Sequence, residues 1–262
     1  MAYEPRTYRH TVSATGLLTF EVVRRETDLQ ISAVRDLSGR AGDLVDSLRN
    51  DLEGYIARVP RFAESYVPMD VEADAPEIVR AMTAAARIAG VGPMAAVAGA
   101  IAERVARGLA EKSPDVIVEN GGDLYIIGAH QRTIALWAGE SPLSGRVGIE
   151  LDADRQPIAV CTSSGTIGHS RSFGRADTVT VLARDGALAD AVATALANRV
   201  RETDDVPAVL RHAQAVEGIS GVVVVLGDRL GAWGDVRLAR VEEDTIRPGT
   251  PSAERGNRGQ HR

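Results

Sequence analysis

The sequence of 262 residues predicts an α+β fold in which a mixed or antiparallel sheet is covered by packed helices. Strand-like and helix-like segments come in blocks, in the order strands, helices, strands, helices, strands, instead of alternating strictly. The composition, 44% hydrophobic and 25% charged, is that of a globular protein. We expect a single domain over residues 1–242 and a disordered tail over residues 243–262, where Arg, Gly, Pro, Ser and Glu dominate.

The first block of the chain contains strand signals followed by one long helix signal. Residues 7–12 and 17–24 flank a Ser-Ala-Thr-Gly turn, which predicts a hairpin, and residues 26–33 form a third candidate strand. Apolar residues then recur at spacings of three and four over residues 44–59, which predicts an amphipathic helix that ends at Pro60. A connector rich in proline and acidic residues separates this block from the next helices.

Two more helices are predicted before the second group of strands. Residues 77–88 form one, and an Ala-Gly-Val-Gly-Pro break separates it from another that runs from Pro93 to Glu111. The beginning of the latter helix, residues 94–102, is apolar on all faces and has small side chains. Such a segment is usually buried and allows close approach by a neighbour or a ligand.

The second half of the chain is predicted to consist of short strands and two helices. The strands cover residues 116–119, 124–128, 133–138, 146–151, 158–162 and 178–183. The helices cover residues 185–200 and 206–215, and a terminal meander covers residues 222–226, 230–233 and 236–241.

Charge and composition exclude several classes of partner and site. The net charge is −6 and the basic residues are scattered, so no nucleic-acid partner is expected. No apolar stretch reaches the roughly 18 residues that a membrane helix needs, and the polar N-terminus favours a cytoplasmic location. The single cysteine, Cys161, excludes intrachain disulfides, and its strand setting favours a small buried residue over a nucleophile. Trp137 and Trp233 are expected to be core or interface residues and not to stack on a ligand.

The first candidate site is the segment Val-Glu-Asn-Gly-Gly-Asp-Leu over residues 118–124. Gly121 and Gly122 permit positive φ values and a close approach of main-chain N–H groups to an anion. Asn120 and Asp123 add polar groups around the turn. The alternative is a tight hairpin turn, of which Asn-Gly is the commonest signature, and the sequence leaves both interpretations open.

The second candidate site is a loop over residues 161–177 that combines hydroxyls, glycines, one histidine and two arginines. Hydroxyls, main-chain amides and arginines suit a phosphate or pyrophosphate. His169 has the chemistry to orient a phosphate or transfer a proton near neutral pH. The alternative is a serine-rich surface loop with an ordinary histidine. The binding candidates in this loop are Thr162, Ser163, Ser164 and Gly165.

The third candidate site is a pair of residues, Asp190 and Thr194, in the predicted Ala-rich helix. Residues four apart in a helix face the same side. A carboxylate and a hydroxyl so placed can share a Mg²⁺ ion and leave coordination positions for water and phosphate oxygens. The alternative is purely helical, since Asp near a helix start favours the helix dipole and Thr bonds back to its own helix.

Taken in order, these segments resemble the motifs of the ApbE superfamily, the FAD:protein FMN transferases, over residues 78–200 and more weakly to residue 241. The chain is similar in particular to the UPF0280 branch of that superfamily. The motifs of that branch occur here as Glu-Thr-Asp-Leu (26–29), Pro-Met-Ala-Ala-Val-Ala-Gly (93–99), Glu-Asn-Gly-Gly-Asp (119–123) and Ser-Ser-Gly-Thr-x-Gly-His-Ser (163–170). The resemblance implies an ApbE-like fold in which strand ends and loops hold FAD.

The resemblance also implies a reaction and the residues that carry it. In the transferases Mg²⁺ lies beside the pyrophosphate of FAD, and FMN passes to a Thr or Ser hydroxyl of an acceptor protein. By position, Asp190 and Thr194 match the Mg²⁺ ligands and His169 matches the family histidine, so His169 and Asp190 are the catalytic candidates. The nucleotide-binding turn is matched by Asn120, Gly121, Gly122 and Asp123, and the loop near the pyrophosphate by Thr162, Ser163, Ser164 and Gly165.

Departures from the transferase pattern leave the activity open. A Lys-Gly-Tyr-Ala motif is replaced by residues 93–99, and residues 169–173 lack the Asp-Pro of a His-x-x-Asp-Pro motif. Arg171 or Arg175 is a candidate for replacing the lost positive charge. One function is a Mg²⁺-dependent enzyme that acts on FAD or a similar nucleotide-like phosphoester, as an FMN transferase with a protein acceptor or as a pyrophosphatase. The alternative is a non-catalytic cofactor-binding accessory protein of a cytoplasmic biosynthetic or redox pathway. A structural subunit that binds no ligand is a third possibility. Assembly into a homo-oligomer also stays open.

Overall fold

The structure is a computed structural model that describes residue 14, residues 16–165 and residues 174–241. The strands of this part are β1 (Leu18–Arg24), β2 (Thr27–Ala33), β3 (Val116–Asn120), β4 (Asp123–Ile127), β5 (Arg132–Ala135), β6 (Val147–Leu151), β7 (Ile158–Ser163), β8 (Thr178–Ala183), β9 (Ile219–Leu226), β10 (Arg229–Gly234) and β11 (Arg237–Arg240). The helices are α1 (Ser38–Arg58), α2 (Arg61–Glu64), α3 (Glu77–Ala89), α4 (Val97–Ala110), α5 (Gly186–Ala197) and α6 (Val206–Gln214), and a 3-10 turn (Pro93–Ala96) leads into α4.

Eight of these strands form one large sheet in the order β1-β2-β3-β4-β7-β8-β9-β10. All neighbouring strands in it run antiparallel. The remaining strands form a small sheet in the order β11-β6-β5, which is also antiparallel. The predicted α+β class is therefore confirmed, with antiparallel sheets.

The large sheet separates two apolar cores. Because side chains alternate along a strand, successive residues enter different cores. Val118 and Tyr125 pack with buried residues of the helices. Their neighbours Ile117 and Leu124 pack with Ile149 and other residues of the small sheet. The molecule thus has three layers: helices, the large sheet, and the small sheet.

The first and the last strands of the chain differ from those predicted. β1 and β2 form the first hairpin, with Leu18 opposite Ala33, whereas the predicted strand over residues 7–12 lies outside the described residues. The predicted terminal meander is wrong at its last strand, because β11 pairs with β6 and not with β10. The reason is Gly234, whose φ of 85° and missing side chain let it lie against the carbonyl of Ser220 and turn the chain away from β10.

The long apolar segments of the chain form helices of limited length. In the described ranges no single helix is both long and apolar enough to cross a membrane, and one pair, Glu77–Ala89 with Pro93–Ala110, passes only in combination across a bend of 103°. The predicted tail over residues 243–262 lies outside the described residues, so the domain boundary at residue 242 stays a prediction.

Candidate functional site

A cleft of about 1020 Å³ opens where β3 and β7 end, where β2 and β4 begin, and where α1, α4 and α5 approach the sheet. Its size is at the upper end of the roughly 300–1,000 Å³ usual for small-molecule sites. The predicted residues that line it are Asn120, Gly121, Gly122, Asp123, Thr162, Ser163, Ser164, Asp190 and Thr194. Gly165 is not among the lining residues, since its N–H donates to the carbonyl of Ala176 at 2.9 Å. His169 lies outside the described residues.

The Asn-Gly-Gly-Asp segment is a tight hairpin turn between β3 and β4 that also lines the cleft. Its first and last residues are opposite each other, and Gly121 and Gly122 take φ values of 67° and 103°. The N–H of Gly122 donates to Oε1 of Glu119 at 2.7 Å. Nδ2 of Asn120 donates to the carbonyl of Ala98 on α4 at 3.1 Å. The hairpin interpretation of this motif is therefore confirmed, with the turn fixed against a helix at the cleft, and the anion-binding interpretation stays a prediction.

The hydroxyl-rich segment at the end of β7 is tied to this turn. Oδ1 of Asp123 accepts a hydrogen bond from the N–H of Thr162 at 3.0 Å, and the hydroxyls of Thr162 and Thr180 share a hydrogen bond of 2.9 Å. Ser163 is buried, and its hydroxyl has no hydrogen-bond partner within the described part of the chain. A buried hydroxyl of this kind in a cleft wall retains its capacity to pair with a ligand or water.

Asp190 is positioned by a close contact between α4 and α5. A Cβ atom on Gly99 would lie 2.1 Å from the carbonyl oxygen of Gly186, and a Cβ atom on Gly186 would lie 2.5 Å from that of Gly99. Because neither residue has a side chain, the N–H of Gly99 reaches Oδ2 of Asp190 at 3.0 Å. Glu103 accepts a hydrogen bond from the N–H of Gly186 at 2.7 Å and holds the start of α5. One turn beyond Asp190, Thr194 also lines the cleft.

The carboxylates of Asp123 and Asp190 lie in a desolvated part of the cleft. Burial raises the pKa of Asp190 to about 7, against the opposing effect of N–H donors from α4. Burial, and then the charge of Asp190, raises the pKa of Asp123 well above its usual value. The pair therefore favours a bound proton or a cation.

Cys161 is buried beside the carboxylates of Asp123 and Asp190. Burial raises the pKa of its thiol, so the prediction of a small buried residue is confirmed.

The described lining residues carry more negative than positive groups. Six carboxylates line the cleft, against two guanidinium groups, those of Arg25 and Arg49. The carboxylates belong to Glu26, Asp28, Glu53, Glu119, Asp123 and Asp190. A bound anion therefore needs an accompanying cation to offset the repulsion of these groups.

Mg²⁺ fits the cleft by the chemistry of its donors. Over the described ranges, no three His, Cys, Asp or Glu side chains are placed to hold a metal together. Mg²⁺ needs no such set, because it usually keeps several waters and takes one or two carboxylates plus phosphate oxygens. Asp190 and Thr194 provide a carboxylate and a hydroxyl of this type, and Asp123 adds a second carboxyl group nearby.

The wall opposite α5 contains residues that the sequence did not reveal. Arg49 on α1 donates to Glu26 and Thr27 of the β1–β2 hairpin and to Glu53 on its own helix, which ties the hairpin to α1. Trp137, expected in a core or an interface, is 39% exposed and lines the cleft. The Glu-Thr-Asp-Leu motif (26–29) lies in this hairpin. In the sequence it supported the resemblance to the family, but it did not indicate what these residues do. The sequence around a single tryptophan does not indicate which layer of the fold that residue belongs to.

Comparison with known proteins identifies the family. A family model described as AbpE bacteria matches residues 9–227. The UPF0280 protein of Methanocaldococcus jannaschii is 45% identical over 202 residues, which cover 75% of this chain and 82% of that protein. The chain belongs to the UPF0280 family. A UPF0280 protein from Methanopyrus kandleri is 40% identical over 225 residues, which cover 83% of this chain and 91% of that protein.

Solved structures of the ApbE superfamily share the fold of this UPF0280 chain. The flavin transferase ApbE of Vibrio cholerae has a TM-score of 0.56 and 14% identity, and the match covers 83% of this chain and 96% of that one. The flavinyl transferase ApbE of Pseudomonas stutzeri, in its apo form, has a TM-score of 0.54 and 15% identity, and covers 83% and 94%. At this identity the likeness shows the fold, and the predicted resemblance to the UPF0280 branch of this superfamily is confirmed.

In this UPF0280 protein, the segment that replaces Lys-Gly-Tyr-Ala forms an apolar wall of the cleft. The wall consists of Met94, Ala95, Val97 and Ala98, from the 3-10 turn and the start of α4. Arg175 is exposed and is not among the described lining residues, and Arg171 lies outside the described ranges. Along this wall, the residues that the structure describes therefore contain no basic replacement for the missing lysine.

Proposed function

We propose that this protein binds FAD through its diphosphate, together with Mg²⁺, and breaks the phosphoanhydride bond between the two phosphates. The oxygen of a Thr or Ser hydroxyl of an acceptor protein, or of water, bonds to the FMN phosphorus and gives up its proton, and AMP leaves with the bridging oxygen. The products are AMP and either FMN esterified to the acceptor or free FMN. One observation carries the proposal: three motifs that are distant in the chain meet in one cleft whose described charged groups are mostly carboxylates. We expect such a cleft to accept a diphosphate as its metal complex.

Each motif has a separate task in this proposal. Asp190 and Thr194 hold Mg²⁺, which when bound offsets negative charge on the phosphate oxygens. Gly121 and Gly122 let the main chain approach the nucleotide closely, because neither has a side chain. The buried hydroxyl of Ser163, without a partner in the described chain, donates a hydrogen bond to a phosphate oxygen.

The variant Asp190→Asn tests this proposal, because it keeps the side-chain size and removes the charge. Wild-type protein incubated with FAD and Mg²⁺ is expected to form FMN and AMP, measured by chromatography. We expect the rate to fall by about 100-fold or more in the variant, and in the wild type when EDTA removes Mg²⁺. The matched control is Asp204→Asn, at an exposed aspartate outside the cleft, which should keep the wild-type rate. Product formation by Asp190→Asn at the control rate would remove this residue from the mechanism.

A non-catalytic role is a second candidate, favoured by the apolar wall of residues 94–98. Where the transferases that the chain resembles carry Lys and Tyr, this wall has no group that donates a proton or a positive charge. An accessory protein of a cytoplasmic biosynthetic or redox pathway would bind FAD with Mg²⁺ and release it unchanged. Equilibrium dialysis with FAD followed by product analysis separates the two roles. Tight binding without AMP supports the accessory role, and the absence of both binding and product contradicts both candidates.

The identity of the acceptor protein, the cytoplasmic location and assembly into a homo-oligomer stay predictions. The acceptor and the oligomeric state each have a direct measurement. Covalent FMN on a co-purifying protein, detected by its fluorescence on a denaturing gel, would identify an acceptor. Light scattering of the purified chain would give its oligomeric state.

A further inference from the structure

We infer that Trp137 is the surface on which a planar heteroaromatic ring of the bound ligand stacks. The inference deepens the proposed function and rests on it. The sequence motifs account for the diphosphate and its metal ion, and they leave the position of the rings unassigned.

The cleft has two sides because it wraps around the end of the large sheet. Successive residues of a strand face opposite layers. Asn120 and Asp123 are in register and face the helices, as does Asp190 from α5, whereas Glu119 and Leu124 are in register and face the small sheet. The metal and diphosphate of the proposed ligand therefore lie on the helix side, and the small-sheet side is left for a ring.

The small-sheet side of the cleft has the composition of a ring-binding slot. Leu124 of the large sheet and Leu136 and Trp137 of the opposite layer supply its apolar surface. Thr162 and Thr180, joined by their hydroxyls, add a polar edge. An apolar slot with few polar groups is the usual setting for a flat ligand ring, because the apolar walls bind it and the polar groups orient it.

Trp137 lines the cleft from a main-chain segment that its neighbours fix in place. The residue is 39% exposed, whereas Leu136 and Ala138 on either side are 3% and 0% exposed. The N–H of Leu136 donates to the carbonyl of Val147 at 2.8 Å, and the N–H of Ala138 donates to Oγ of Ser144 at 3.0 Å. Because buried neighbours and main-chain hydrogen bonds fix this segment, little conformational entropy is lost when a ring packs on the indole.

Fluorescence of bound FMN provides the first test, with Mg²⁺ present. An indole in contact with an isoalloxazine ring quenches flavin emission by electron transfer, and a phenyl ring does not. The chain has two tryptophans, and Trp233 on β10 is not among the described lining residues, so Trp137→Phe and Trp233→Phe form a matched pair. If the flavin ring stacks on Trp137, bound FMN is dark in the wild type and in Trp233→Phe and bright in Trp137→Phe.

Calorimetry with FAD, FMN and ADP provides the second test and distinguishes the two rings of FAD. We expect Trp137→Ala to raise the Kd for FAD by about tenfold, within the range for loss of one stacking side chain. The same loss with FMN identifies the stacked ring as isoalloxazine. The same loss with ADP, with FMN bright in all proteins, identifies it as adenine. Thermal unfolding of the ligand-free variants checks that their folds are intact.

Two outcomes would overturn the inference, and they are distinguishable. If the wild type binds FAD but Trp137→Ala binds it with unchanged affinity, Trp137 is not the stacking surface and the proposed function stands. If the wild type binds none of FAD, FMN and ADP, the proposed function fails and the inference fails with it.

Discussion

Replacement of Gly99 by alanine should push α4 away from α5 and displace Asp190. The added Cβ atom would lie 2.1 Å from the carbonyl oxygen of Gly186 and 2.8 Å from Cβ of Asp190. Ordinary contacts need about 3.5 Å, so one helix must move by about 1 Å or more. Overpacking costs about 1–3 kcal/mol and the weakened hydrogen bond to Asp190 about 1–2 kcal/mol, while the helix propensity of alanine returns up to about 1 kcal/mol. We therefore expect the free energy of unfolding to fall by about 2–3 kcal/mol.

Urea denaturation of the metal-free protein, followed by circular dichroism, measures this loss, and a Mg²⁺ titration measures the effect on the site. Gly54→Ala on α1 is the matched control, since no atom beyond its chain neighbours and the adjacent backbone of its own helix lies within 4 Å of the position of its Cβ. We expect that variant to keep its stability or to gain up to about 1 kcal/mol. If Gly99→Ala were as stable as Gly54→Ala, the two helices would not meet as closely as described, and the positioning of Asp190 by this contact would be refuted.

Two further predictions concern the cleft charges and the start of α5. The pKa values of Asp123 and Asp190 are raised in the folded chain, so between pH about 4 and 7 the folded state holds protons that the unfolded state has released. The free energy of unfolding of the metal-free protein should therefore decrease as the pH rises through this window, and a stability in EDTA that is higher at pH 8 than at pH 5 would contradict the buried carboxyl pair. Glu103→Ala should lower the free energy of unfolding by about 2 kcal/mol, because the N–H of Gly186 and the guanidinium of Arg107 lose their carboxylate partner. An effect below about 0.5 kcal/mol, the usual limit for surface changes, would show that this carboxylate does not hold the helix start.

Elements with a local pattern were predicted well, and pairings between distant segments were not. The apolar spacing over residues 44–59 predicted most of α1 (Ser38–Arg58), because one buried helix face repeats every 3.6 residues. The start of α1 was missed, since its first turn lacks that spacing. From the sequence, β11 was placed in a terminal meander, whereas it pairs with β6. This pairing depends on which sheet the chain enters after Gly234, and the hydrophobic pattern of a strand does not indicate its partner strand.

The candidate site was predictable as separate motifs and not as a cleft. Asn-Gly-Gly-Asp, the hydroxyl-rich loop and the Asp190–Thr194 pair each carry a chemical signature within a few residues. Arg49 and Trp137 have none, because their places in the cleft depend on which face of α1 meets the β1–β2 hairpin and on how the small sheet covers the large one. The contact of Gly99 with Gly186 likewise exists only when two helices pack.

The hydrogen bond between the main chain of Thr162 and the side chain of Asp123 joins the β3–β4 turn to the end of β7. The two loops of the cleft are therefore one mechanical unit and not two independent arms. Because the donor is a main-chain N–H, a side-chain substitution of Thr162 keeps this hydrogen bond, whereas Asp123→Ala removes it and should shift donors in both loops. A mutational survey would therefore register this interaction at Asp123 alone, although it holds both loops.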